Sequence, residues 1–209
     1  MKNYVVEFIG TFFLVLVIGL TVIEPGAGSL APLAIGSTLM VMVYAGGHIS
    51  GGHYNPAVTL AVWMRGKCDA KDVAPYMISQ ILGGIVAALV VGFCKPNATV
   101  AAASPDVVRA VLVELLFTFA LCYVVLNTAT SKKNAGNSYY GLAIGFTVVV
   151  GAYAGGAISG GAYNPAVACG ISTMGLSAWS NIWTFLVGNF AGAALAAVIY
   201  KMANPGEFA

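Results

Sequence analysis

Six apolar runs organise the chain: Tyr4–Ile23, Leu30–Ser50, Val73–Cys94, Ala110–Thr130, Tyr139–Ser159 and Ala178–Tyr200. Each is close to the roughly 20 residues that a helix needs to cross a bilayer. None alternates as a barrel strand does, and a segment in lipid has to satisfy its own backbone, so all six are predicted to be helices. Turn-forming sequences separate several of them, including Glu24-Pro25-Gly26, Lys95-Pro96-Asn97 and Ser131–Ser138. Two apolar segments are left over, Asn55–Met64 and Asn164–Thr173, of ten residues each. At about 1.5 Å per residue such a helix reaches about 15 Å, half of a hydrocarbon core about 30 Å thick. Both are predicted to enter the membrane and stop near its middle. Small residues recur within the long runs (Gly83, Gly84 and Ala87; Gly141 and Gly145; Gly188 and Gly192). Such positions let helix backbones approach closely in lipid.

The half-length segments belong to a stretch that occurs twice. Residues 44–58 read YAGGHISGGHYNPAV and residues 153–167 read YAGGAISGGAYNPAV, identical at thirteen of fifteen positions at an offset of 109 residues. The exceptions are His48 and His53, opposite Ala157 and Ala162. A self-match of this length implies two related halves, residues 1–95 and 106–209, within one transmembrane domain. Each half holds three spans, an odd number, so the second is inserted upside down relative to the first. The expected architecture is all-α: six transmembrane helices plus two re-entrant half-helices, arranged as inverted three-span repeats with the broken helices at the centre.

Composition supports lipid as the solvent. Hydrophobic residues make up 59% of the chain and charged residues 8%, against about 25% charged in a soluble domain. Residues 134–200 contain no Asp, Glu, Lys, Arg or His. The first run is too long for the apolar core of a signal peptide and is read as a retained span. With both ends on one side, Lys2, Arg65, Lys67, Lys71, Lys132, Lys133 and Lys201 share that side, and only Lys95 and Arg109 lie opposite. That bias places the termini in the cytoplasm. The net charge of +2 carries no nucleic-acid signal, and the four cysteines lack metal-ligand spacing. No cofactor or metal is expected, and no nucleophile–base pair suggests an enzyme.

The chemistry of the doubled stretch lies in Asn55, Pro56 and Ala57, and in Asn164, Pro165 and Ala166. Asparagine caps helix N-termini and proline suits the first helical position. With the amide oxygen tied to backbone donors, each NH₂ would face the space between two helix starts. Each start also carries about half a positive charge, which repels cations. The approach segments Gly46–Tyr54 and Gly155–Tyr163 are expected to be extended, with carbonyls lining a wet path. Glu7 and Glu114 fall inside spans at equivalent positions of the two halves. Their symmetric placement favours a brace for the re-entrant loops, with a proton relay as the alternative. His48 and His53 are expected near the cytoplasmic mouth, lining the path or bracing a loop, with a pH gate as the alternative.

Paired Asn-Pro-Ala boxes on inverted repeats, with a glutamate in spans one and four, resemble the aquaporin family of water and small-solute channels. The segment GGHISGGHYNPAVT is similar to the first box of its prokaryotic members. The resemblance implies passive conduction, no cofactor, a homotetramer with one pore per subunit and, for a prokaryotic member, the inner (plasma) membrane. It also locates the selectivity filter by offset from the boxes, at Ile35, Ala152, Gly161 and Val167. Water-selective members place an aromatic, often a histidine, and an arginine there; none is present. Glycerol-conducting members carry an acidic residue after that arginine, where this chain has Ala168. A valine in the arginine position resembles vacuolar and other solute-permeable members. The expected function is therefore passage of water and small neutral solutes (ammonia, hydrogen peroxide, urea, glycerol) through a wide aliphatic filter, with protons and ions excluded. A strictly water-selective channel is the alternative. An ion-coupled transporter also uses inverted repeats but needs titratable or cation-binding groups at the midplane, which the boxes lack.

Overall fold

The computed structural model describes residues 1–207, and six of its helices are long and apolar enough to cross a membrane. In chain order the helices are α1 (Lys2–Val22), α2 (Ala31–Ser50), α3 (Pro56–Met64), α4 (Ala70–Cys94), α5 (Val107–Val125), α6 (Tyr140–Ser159), α7 (Pro165–Thr173) and α8 (Ile182–Ala203). No strand forms among the described residues; the only β pairing is a single bridge between Ala103 and Ser177. Helices α3 and α7 are the two half-length elements, of nine residues each. The protein is thus an integral, multi-pass, all-helical membrane protein with two re-entrant half-helices.

Local chemistry sets the boundaries and accounts for where they depart from expectation. The fourth span keeps α-helical bonding only to Val125 and finishes in a π turn, Leu126–Thr130. There the side chains of Asn127, Thr128 and Thr130 donate to carbonyls four residues back, at 2.6–2.8 Å, and so compete with the regular ladder. The last span begins at Ile182, after a 3₁₀ turn over Trp179–Asn181, and runs on to Ala203. The approach segments are a clear correction. Gly46–Ser50 and Gly155–Ser159 are helical, and only the four residues before each asparagine leave the helix. The break falls at Gly51 and Gly160, whose φ values of 91° and 95° are left-handed and favour glycine.

Packing repeats between the halves. The carbonyl of Phe8 in α1 fills the space that a Cβ on Gly83 of α4 would occupy, and the carbonyl of Leu115 in α5 does the same at Gly192 of α8. Helices α2 and α6 cross where Gly36 meets Gly145; a Cβ on either would sit 2.5 Å from the other's carbonyl oxygen. The same pair is stapled at both ends. Tyr44 donates to the Ser138 carbonyl at 3.1 Å, and Tyr153 donates to the Ser29 carbonyl at 2.8 Å. Outward faces carry exposed Leu89, Phe93, Val108 and Met202, as lipid requires. The core surrounds α3 and α7, where Ala57, Ala61, Ala166 and Ala168 are fully buried.

Candidate conduction path

The starts of α3 and α7 meet at the centre of the molecule. Asn55 Oδ1 accepts from the Ala57 N–H at 2.8 Å, and Asn164 Oδ1 accepts from the Ala166 N–H at 2.9 Å. Each amide nitrogen then reaches across to the other half: Asn55 Nδ2 donates to the Tyr163 carbonyl and Asn164 Nδ2 to the Tyr54 carbonyl, both at 2.9 Å. One N–H of each NH₂ is therefore committed to a reciprocal latch, which leaves one N–H per asparagine for the lumen that both residues line. Sequence reasoning placed both donors in that space and did not foresee the latch.

The carbonyls that receive these bonds are aimed by unusual backbone. Tyr54 and Tyr163 have φ values of 49° and 48°, in the left-handed region, where a bulky residue stores on the order of 1–3 kcal/mol of strain. Both rings are locked in place. Tyr54 donates to the Met42 carbonyl at 2.9 Å and Tyr163 to the Gly151 carbonyl at 2.8 Å. Neighbouring glycines leave room for them: a Cβ on Gly10 or Gly46 would collide with Tyr54, and one on Gly151 or Gly155 with Tyr163.

Glu7 and Glu114 lie behind these loops, fully buried. Glu7 accepts from Ser50 Oγ at 2.6 Å, the His53 N–H at 3.0 Å, the Tyr54 N–H at 2.6 Å and Gln80 Nε2 at 2.8 Å. Glu114 accepts from Ser159 Oγ at 2.7 Å, the Ala162 N–H at 2.9 Å, the Tyr163 N–H at 2.7 Å and Asn189 Nδ2 at 2.7 Å. Every oxygen of each carboxylate accepts from two donors, one of them a backbone N–H of the loop it supports. Gln80 and Asn189 escaped the sequence reading because they differ in type, although they stand at the same offset of 109 residues as the boxes.

The two histidines part company. His53 is buried and lines the central lumen, its Nδ1 lying 3.1 Å from Thr59 Oγ1. His48 is exposed and lines a surface cavity with Lys132 that shares Gly51, Lys67, Ala129 and Thr130 with the vestibule on the termini side.

Three cavities run in series. The central lumen has a volume of about 30 Å³, above the roughly 10–15 Å³ that one water needs. Apart from the asparagines, His53 and loop backbone, its walls are aliphatic, including Leu14, Leu39, Leu121 and Ile144. Towards the side bearing the termini it meets a vestibule of about 530 Å³, with His53 and Val125 common to both. On the far side it meets an apolar vestibule of about 330 Å³, and Ile18, Ile35, Val148, Gly161 and Val167 line both spaces. Of the four positions expected to form a filter, Ile35, Gly161 and Val167 stand in this ring, whereas Ala152 lines only the far vestibule. Val148 lies one helical turn before Ala152. Ile18 and Val148 could not be found by offset from the boxes, since their only sequence signal is an apolar residue in an apolar span.

Residues 1–200 match the sequence model of the family described as Major intrinsic protein. The chain belongs to the major intrinsic protein family. Among relatives of this major intrinsic protein is "Aquaporin TIP1-2" of Zea mays, 37% identical over 182 residues that cover 85% of this chain and 71% of the relative. "Glycerol uptake facilitator protein-like 6" of Lactiplantibacillus plantarum is 39% identical over 207 residues, covering 94% of this chain and 95% of the relative. Among solved structures, the aquaglyceroporin from Plasmodium falciparum superposes with a TM-score of 0.80 over 99% of this chain and 98% of that one, at 19% identity. That likeness establishes the shared fold. Proteins of this family are channels, not enzymes.

Proposed function

We propose that this major intrinsic protein is a passive channel for water and small neutral solutes that excludes protons and ions. The observation that carries the reading is the head-on meeting of α3 and α7, with one free amide N–H from each asparagine facing an aliphatic lumen open to a vestibule at each end. A neutral hydrogen-bonding solute finds donors at the centre and loop backbone on either side. A cation meets two positive helix ends in a low-dielectric setting. A proton hopping along waters meets one whose oxygen is turned towards the asparagines. The eight hydrogen bonds that Glu7 and Glu114 accept, half of them from loop backbone N–H groups, support a bracing role for them rather than a proton relay.

Selectivity is proposed to reside in the far-side ring of Ile18, Ile35, Val148, Gly161 and Val167. Arginine would bring five donors and a fixed charge to the ring, and Val167 brings neither. Ala152 and Gly161 remove bulk and Ile18 and Val148 add only apolar side chains, so the ring is proposed to be wide, aliphatic and less polar. The proposed order of passage is water and ammonia first, hydrogen peroxide close behind, then urea, then glycerol. The names of relatives include both aquaporins and a glycerol uptake facilitator, consistent with a family in which the ring decides the solute. The bias of seven basic positions against two supports termini in the cytoplasm. Membership of the family supports a homotetramer with one path per subunit, and the prokaryotic character of the first box supports the inner membrane. Val167→Arg tests the ring: permeability to urea and glycerol should fall more than permeability to water. An unchanged solute-to-water ratio would show that the ring does not set selectivity.

A further inference from the structure

The vestibule on the termini side has two facing walls that belong to different halves of the chain. One is the end of α3 with the loop after it, contributing Val62, Lys67 and Cys68; the other is the π turn, contributing Ala129 and Thr130. Both walls are tied to a single side chain. Glu207 lies in the 3₁₀ turn Pro205–Glu207 that follows α8. Its carboxylate accepts from Arg65 Nη2 at 2.8 Å, from Ser131 Oγ at 2.8 Å and from the Lys132 N–H at 3.2 Å. Its backbone carbonyl accepts from Arg65 Nη1 at 3.3 Å. Arg65 is the C-cap of α3, and its guanidinium lies 5.1 Å from the centroid of the Tyr200 ring in α8.

The pair is enclosed, with the Arg65 and Glu207 side chains 4% and 3% exposed, whereas the Lys71–Asp69 pair is 78% and 72% exposed. An enclosed pair fixes geometry more than it adds stability, and breaking it by removing one partner is costly. The doubled sequence supplies an internal comparison. At the offset of 109 residues, Met174 stands where Arg65 stands, and α7 ends there without an ion pair. A re-entrant half-helix of this fold therefore does not need the arginine in order to form.

We propose that Arg65 and Glu207 are positioning residues for the conduction path: the turn after α8 clasps the base of α3 to the α5–α6 segment and so sets the opening of the termini-side vestibule. The inference rests on reading that vestibule as a mouth of the path. The other end of α3 stays latched through Asn55, so the clasp governs access while discrimination remains at the far-side ring.

The test uses the full chain in proteoliposomes, in a Cys94→Ser/Cys169→Ser background that leaves Cys68 as the one thiol that is not buried. Glu207→Gln should raise the labelling rate of Cys68 by a bulky maleimide several-fold, relative to a small one. It should also alter water permeability while leaving the urea-to-water ratio unchanged, and Glu207→Asp should recover part of both effects. Ser131→Ala, which keeps the ion pair and loosens one wall, should shift labelling in the same direction by less, and it decides between the outcomes if Glu207→Gln does not fold. Labelling rates equal to the parent's in folded Glu207→Gln or Ser131→Ala protein would overturn the clasp. So would a changed urea-to-water ratio. Failure of the channel reading is distinct, because it would appear as parent permeability no greater than that of lipid alone.

Discussion

At the scale of single residues, the buried carboxylates are where a brace and a proton relay make different predictions. Glu7 gathers four donors around two oxygens, and Glu114 repeats the arrangement in the other half. A glutamine in place of either would turn its NH₂ towards one of the loop backbone N–H groups and leave that buried donor unpaired, at about 1–3 kcal/mol. Glu7→Gln should therefore lower the yield of folded protein and its thermal midpoint, without changing the pH dependence of transport in the fraction that folds. A new pH dependence of flux in well-folded protein would revive the relay. The asparagines, prolines and glutamates were legible in the sequence because duplication showed each of them twice. Gln80 and Asn189 were hidden by their difference in type, and Ile18 and Val148 by their ordinary chemistry. Of the four positions expected to form a filter, Ala152 lines only the far vestibule, one helical turn from Val148.

At the scale of elements, glycine spacing carries the helix contacts. The α2–α6 crossing at Gly36 and Gly145 leaves no room for a side chain, since the opposing atoms are backbone carbonyl oxygens that cannot rotate away. Gly145→Ala should destabilise by about 1–3 kcal/mol or more, as overpacking does. Gly92→Ala in α4, where a Cβ would meet nothing within 4 Å, should be neutral or mildly stabilising. Thermal unfolding of both variants in the same detergent checks the contrast; equal midpoints would mean that the crossing is not a tight contact. The existence and length of all eight helices were legible because lipid forces helices and fixes their span. The expectation of extended Gly46–Tyr54 and Gly155–Tyr163 overweighted glycine's aversion to helix. Tyr54 and Tyr163 need space beside α2 and α6, and helical Gly46 and Gly155 provide it.

At the scale of the whole molecule, one path is enclosed by two halves and held at the termini side by Glu207. Burial alone would raise the Glu207 carboxyl. The Lys132, Ser131 and Lys133 hydrogen bonds and the Arg65 charge outweigh it and hold the group below its ordinary value. Arg65 at the end of α3 and Lys132 and Lys133 of the α5–α6 loop face the carboxylate, and Tyr200 of α8 packs against the Arg65 guanidinium. A carboxyl lowered on folding stabilises the fold above its unfolded value, near 4, and loses that stabilisation as pH falls through the folded value. The difference in thermal midpoint between the parent and Glu207→Gln should therefore be full at neutral pH and shrink in acid below that range. A difference that does not change with pH would show that the carboxylate's charge is not what holds the turn. This clasp was invisible in the sequence, because Arg65 and Glu207 are 142 residues apart and neither belongs to a repeated motif. The inverted plan was legible, because an odd number of spans per half permits only opposite insertion.

The most direct test of the central claim is a permeability series for water, ammonia, urea and glycerol, measured side by side in proteoliposomes of the parent protein, with an imposed proton gradient followed in separate ammonia-free vesicles. The predicted result is fast water and ammonia, slower urea, and glycerol slowest yet above lipid alone, with the proton gradient left intact. Passage of water alone, with ammonia and urea at the rate of protein-free liposomes, would contradict it, as would collapse of the proton gradient.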